Sequence, residues 1–237
     1  MKNTNQVIGV GIIIVAWVIV AVFSVVQIVY VSNMYTHMFD GGVSRAVASY
    51  RMESEVRALR QVLTASVLHA HTTNETGRQN ALNSLMAEAQ QIRASLFFAL
   101  DEYEFSVITD PMQTQVWVHS RLEMTRNLRY LVELIFSQFF HVIFNYAFIG
   151  DYYEAGNVFA ESTAMLFSLM DEVNYLVEIS DAAMQHAFFH VHDTVNVTVM
   201  TITVISVVAI IGSIIAAVVL LLPKRNSDRI PSDIYVE

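Results

Sequence analysis

The chain has 237 residues, of which 54% are hydrophobic and only 15% charged, and its mean hydropathy is +0.46; an ordinary soluble domain carries charge on about a quarter of its residues. Residues 33–193 contain nine arginines, no lysine and nineteen Asp or Glu, a net charge of −10, so the −9 of the whole chain belongs to this middle segment. That balance excludes an electrostatic footprint for nucleic acid or anionic lipid headgroups, and the absence of cysteine excludes thiolate catalysis, Cys-ligated zinc, iron–sulfur clusters and disulfides.

The missing charge is localised in two runs, Asn3–Phe39 and Thr194–Pro223, neither of which holds an ionised side chain. After a short tail, residues 1–6, Val7 to Val31 are twenty-five residues with Gln27 as the most polar member. About 20 apolar residues suffice to cross a bilayer as a helix, so residues 7–32 are read as a transmembrane helix. The run is too long for a cleavable signal peptide, and Ser32-Asn33-Met34-Tyr35 offers no small-x-small cleavage site, which makes it an uncleaved signal anchor. A second run, 194–222, ends at Pro223-Lys224-Arg225. Basic residues flanking both spans place the tails 1–6 and 223–237 in the cytoplasm and residues 33–193 outside. The competing reading, two buried helices of a soluble protein, conflicts with the length of the charge-free runs.

Between the spans the periodicity is helical. Apolar residues alternate by three and four along Met52, Val56, Leu59, Leu63, then along Leu82, Leu85, Ala89, Ile92, Leu96, Ala99, Tyr103. A third seam runs Met124, Leu128, Leu131, Ile135, and a fourth Val158, Met165, Leu169, Leu176, Ile179, Ala183. Such seams pack helices at about +20°. Thr76 with Gln79 forms a capping box, Asp110-Pro111 places a cap before a proline at the first helical position, Gly150 ends a helix, and Asp151 with Glu154 starts the next. The expected helices are 7–71, 76–106, 112–149 and 151–222, with a bend at Gly41-Gly42. The fold expected is all-α: an antiparallel four-helix bundle, residues 33–193, whose first and last helices continue into two transmembrane helices.

This layout resembles the four-helix-bundle sensory module of bacterial methyl-accepting chemotaxis receptors. The resemblance covers residues 7 to 222. It rests on the order of spans and helices and on three local textures: Glu53-Ser54-Glu55-Val56-Arg57-Ala58-Leu59-Arg60, Gly150-Asp151-Tyr152-Tyr153-Glu154-Ala155 and Leu176-Val177-Glu178-Ile179-Ser180-Asp181-Ala182-Ala183. It implies a sensor in the bacterial inner membrane, a homodimer through its first helix or a pairing with another receptor, and a small molecule or a periplasmic binding protein as ligand. Receptors of this family continue into a HAMP relay and a signalling hairpin. Here Pro223 to Glu237 remain, too few residues for either. A split gene, a shortened chain and a stand-alone protein that pairs with another receptor all stay open.

Three groups of side chains carry candidate chemistry. His186 and His190 lie four apart in apparent continuation of the fourth seam and, with His37 and either His119 or His192, form a set suited to a metal, to axial haem ligation or to pH sensing. Against this stands the plainer reading of interfacial residues satisfied by neighbours or water, and no cofactor is expected beyond that alternative. No His-Glu-x-x-His or Glu-x-x-His motif is present. Arg57 and Arg60, with Ser162 and Thr163 opposite, suit a carboxylate clamp; the alternative is that they pair with Glu53, Glu55 or Glu88 on a solvated face. His69, His71, Tyr146, Tyr152 and Tyr153 gather at the distal tip, where they suit either ligand contact or simple cover. Phe139, Phe140, Phe144 and Phe148 read as core or dimer surface. No nucleophile–base pair or phosphate loop appears, so an enzyme is not expected.

Overall fold

The structure, a computed structural model, describes residues 2–110 and 114–221. Among these the chain is all-helical. Six α-helices follow one another: α1 Lys2–His37, α2 Ser44–Ala70, α3 Glu75–Thr109, α4 Gln115–Leu134, α5 His141–Ile149 and α6 Tyr152–Leu221. Two π-helical turns, Met38–Val43 and Ile135–Phe140, join α1 to α2 and α4 to α5 without breaking the helical path, so four helical stretches result. The expected bend at Gly41-Gly42 is instead the first of these turns, flanked by right-handed helical backbone at His37 and Ser44. A π turn widens the helix by one residue, a common device at sites that need local adjustment.

The helix ends match the expectation at two places and differ at two. Gly150 adopts φ 83°, and the amides of Gly150 and Asp151 donate to the carbonyls of Ala147 and Tyr146, the paired bonds of a Schellman ending. Asp151 Oδ1 then accepts from the Glu154 amide at 3.1 Å, as expected of a cap. Thr76, however, is not the cap of α3; Asn74 is, its side chain accepting from the Gly77 amide at 3.2 Å, while Gln79 turns to Glu75. Asp110 ends α3 and accepts from Arg45, and α4 starts at Gln115, later than expected, capped by Thr114, which accepts from the Trp117 amide at 3.4 Å. The expected first-turn proline, Pro111, lies outside the described residues, as do Leu222 and the tail 223–237.

The chain divides into two compact units, residues 34–191 and residues 1–33 with 192–237. In the first, α2 through α5 and the early part of α6 surround one hydrophobic core. Arg51–Glu102 at 2.8 Å and Ser95–Glu55 at 2.7 Å register α2 antiparallel to α3. Arg93–Glu133 at 2.7 Å and the Arg129 bridge to Asp101 and Glu104 do the same for α3 and α4. The first two expected seams are buried nearly throughout. The third and fourth hold in part, and residues one position away share the buried face with them. Thr125, Leu128, Val132 and Ile135 are buried on α4 and its π turn, and Ser162, Leu166, Leu169, Val173, Leu176 and Ser180 on α6; Met124, Leu131, Val158, Met165, Ile179 and Ala183 flank them, half-buried. Thr125 and Ser162 enter the core by donating to a carbonyl of the preceding turn, Thr125 to Leu122 and Ser162 to Phe159. Phe136, Phe140 and Phe144 stack in that core at 5.0 and 4.6 Å between centroids.

In the second unit, the early part of α1 and the late part of α6 expose apolar side chains: Ile12, Ile19, Val22 and Ile28 on α1 are each about 60% exposed, as are Val208, Ile214 and Ile215 on α6. Polar groups here bond within the helices or between them. Ser24, Thr201, Thr203 and Ser213 each donate to the carbonyl four residues earlier, and Trp17 Nε1 donates to Ser213 Oγ at 3.2 Å. Among the described residues three helical stretches are long and apolar enough to cross a membrane: Gly9–Ala70, Gln115–Ile149 and Tyr152–Val218. The most apolar windows of the first and third are 0% buried within the protein, whereas that of Gln115–Ile149 is 39% buried because it supplies the phenylalanine core.

Candidate functional site

Two regions of the 34–191 unit gather polar side chains around open space. One is a groove beside α2. Arg57, Arg60, Gln61, Thr64, Leu68 and, from α6, Met170 line about 490 Å³. Arg60 continues into a narrow cleft with Thr163, Leu166 and Phe167 that has room for about one water. Arg57 bridges to Glu53, and Arg60 lies over the Phe167 ring at 5.1 Å. Of the four residues expected to form a carboxylate clamp, Arg57, Arg60 and Thr163 meet here. Ser162 does not, since its side chain is fully buried and donates to Phe159 O at 2.7 Å. Glu55, one of the acids expected to compete for the arginines, is taken by Ser95. The groove therefore offers two guanidinium groups on an apolar floor, one of them already holding a carboxylate, which is the chemistry of an anion site on a wet surface.

The other region lies at the opposite end of α2. Met34, His37, Met38, Gly42, Arg45, Asp110, Ala183, His186, Ala187, His190 and Val191 line a cavity of about 320 Å³. Its organising feature is a buried ion pair: Arg45 Nη1 to Asp110 Oδ2 at 2.7 Å, with side chains only 4% and 6% exposed. Arg45 also donates to Ser106 O at 3.3 Å. Gly41 permits this arrangement, since a Cβ there would sit 2.9 Å from the Asp110 carboxylate. Arg45 and Arg121 flank the Trp117 ring at 5.2 and 4.8 Å. Burial pulls the Arg121 guanidinium below its ordinary value, and burial likewise pushes the nearby Tyr103 hydroxyl up.

His37, His186 and His190, expected as one set, do line this one cavity. Their setting differs from the expectation of a core seam. All three side chains are exposed, and the α6 core register passes instead through Ala187 and the buried Val191. Among the described residues no three His, Asp or Glu side chains stand close enough to hold a metal by themselves. His119 pairs with Glu123 at 3.3 Å away from the cavity, and His192 belongs to the other unit.

At the tip, His71 packs against Tyr152 at 4.9 Å, Tyr146 leans on the core and Tyr153 is exposed. Arg78 donates to Thr72 O at 3.1 Å and approaches Gly150, tying the two tip turns together. Sequence reading missed Arg45, Asp110, Trp117, Met34 and Met38. A signal for the first was present, because Arg45, Met52, Leu59 and Ser66 are seven apart on the core side of α2. Comparison of the chain with protein-family models, curated proteins and solved structures finds no match.

Proposed function

We propose that the protein is a transmembrane sensor of the chemoreceptor type. In this reading residues 33–193 form an extracytoplasmic antiparallel four-helix bundle, and its first and last helices continue into two spans, 7–32 and 194–222, of a bacterial inner membrane with both tails inside. The observation that carries it is the continuity of α1 and α6. α6 is a single helix that bears both a charge-free apolar stretch and a stretch packed on the core, and α1, with its own charge-free apolar stretch, leads through one π turn, with no flexible linker, into α2, which packs on the core. A displacement of α6 against α2 is then passed along the helix instead of being absorbed. The groove at Arg57 and Arg60 is the ligand site of this proposal, and small carboxylates are its ligands. The protein acts as a homodimer through the exposed face of α2 or pairs with a related receptor.

Joining residues 1–222 to the HAMP and signalling segments of a characterised chemoreceptor places a kinase under the control of this chain. The expected result is a kinase output that changes with at least one amino acid or dicarboxylate and loses that response in Arg60→Ala. A chimera that inserts correctly overturns the proposal if its output stays constant across those ligands and when an engineered disulfide locks α2 to α6.

A further inference from the structure

The cavity at the base of α2 holds a donor set that neither the ion pair nor the proposed carboxylate groove uses. Met34 and Met38 are four apart on α1 and its π turn, and His186 and His190 are four apart on α6. Residues four apart share a helix face, and both pairs line the same cavity of about 320 Å³, with His37 beside them. Met34 and Met38 are 7% and 8% exposed, so the thioethers form the sheltered wall and the imidazoles the open one. The single carboxylate in the cavity, Asp110, is held by Arg45 at 2.7 Å, which also cancels the arginine's charge. The donors on offer are therefore thioether sulfur and imidazole nitrogen.

We propose that this cavity is a binding site for a soft monovalent metal ion, Cu(I), with Met34, Met38, His186 and His190 as its ligands. Thioether sulfur selects Cu(I) over the divalent ions, and imidazole serves it equally well; hard ions such as Mg²⁺ and Ca²⁺ require oxygen ligands that are not free here. Zinc prefers thiolate, imidazole and carboxylate, and the chain supplies no thiolate. Two ligands from each of two helices also link α1 to α6 at a point where a Cβ added to Gly42 would lie 3.8 Å from Met184 Cα. Occupancy clamps these helices together. The site stands whether or not the chain signals as a chemoreceptor, because it shares no ligand with the Arg57–Arg60 groove.

The test uses the full chain in detergent, titrated anaerobically with Cu(I) against bicinchoninate, with Zn²⁺ and Ag(I) in parallel. The expected result is one Cu(I) per chain, competition by Ag(I), and Zn²⁺ binding weaker than Cu(I). X-ray absorption of the loaded protein should show both sulfur and nitrogen in the first shell. Met34→Leu/Met38→Leu conserves volume and should keep the helicity while weakening Cu(I) by roughly tenfold or more; His186→Gln/His190→Gln should do the same from the other helix. Absence of stoichiometric Cu(I) binding, Zn²⁺ bound as tightly as Cu(I), a first shell without sulfur, or unchanged affinity in the methionine variant would each overturn the site and leave Met34 and Met38 as core filling.

Discussion

Arg45 and Arg57 lie on the same helix, twelve residues apart in the sequence, and they meet opposite solvents. Arg45 is 4% exposed and locked to an equally buried Asp110, whereas Arg57 is 63% exposed and reaches Glu53 one turn before it. The first pair has given up its hydration and depends on the protein groups around it, Ser106 O and the Trp117 ring among them. The second exchanges readily with water and with any passing carboxylate. One end of the 34–191 unit is thus built for fixed geometry, and the groove further along is built for exchange.

The contrast breaks most visibly when one buried partner is removed. Asp110→Ala should cost about 3–5 kcal/mol, since it strands the Arg45 cation beside Trp117. Arg45→Met/Asp110→Leu should recover most of that loss, because the pair as a whole is offset by its own desolvation. Chemical unfolding in detergent, followed by helical circular dichroism, checks both. If the single and double variants are equally unstable, the pair is holding the turn after α3 in place through geometry more than through charge.

A smaller loss is expected at the far end, where backbone rather than charge fixes the geometry. Gly150 sits at φ 83°, and a Cβ there would come within 2.8 Å of Arg78 Nη1. Gly150→Ala should cost about 1–2 kcal/mol for the left-handed conformation alone, and more if Arg78 loses Thr72 O. Gly150→Asn should be milder, since Asn tolerates that conformation. The same unfolding measurement distinguishes them, and equal stabilities for the two variants would show that the Arg78 contact dominates.

How much of this was legible in the sequence depended on whether a residue's role followed from periodicity. The α2 and α3 seams were readable because Met52, Leu59, Leu82 and Leu96 are large and apolar at regular spacing. The α6 seam was read only in part: Leu169 and Leu176 are buried as expected, but the same face also holds Ser162 and Ser180, whose burial polarity conceals. Gly150 and Asp151 were readable, being dictated by turn chemistry. The pairing of Asp110 with Arg45 was not legible, because only the packing of α2 against α3 brings the two together. Helix spacing put His37, His186 and His190 on one cavity, though as exposed side chains and not as part of a core seam. The methionines facing them went unread, since thioethers at helical spacing look like core.

Alkaline pH separates buried from exposed groups in another way. Burial raises the Tyr103 hydroxyl above its usual value of about 10, so in the folded protein it keeps its proton at pH values where the unfolded chain has begun to lose it. The associated stability is complete below about pH 10 and falls as the pH rises through the folded value. Tyr103→Phe should therefore lose less stability between neutral and strongly alkaline pH than the parent. Tyr50 is also raised, chiefly by its hydrogen bond to Asp181, but it is exposed to solvent. Tyr50→Phe should change the alkaline slope less than Tyr103→Phe does; a larger change would mean that the Asp181 contact, not burial, governs alkaline unfolding.

The smallest effect is expected where solvent access is greatest. A double-mutant cycle with Arg57→Ala and Glu53→Ala should return a coupling of about 0.3–0.5 kcal/mol, the usual value for an exposed pair four residues apart on a helix. It should shrink further as salt is added. Such a weak internal pair is what an anion groove requires, because a ligand carboxylate has to displace or share the Glu53 contact without a large penalty. If the coupling instead exceeds about 2 kcal/mol and resists salt, in the manner of buried pairs, Arg57 is committed to Glu53. The groove would then rest on Arg60 alone, whose stacking on Phe167 at 5.1 Å leaves its guanidinium edge as the one remaining cationic contact.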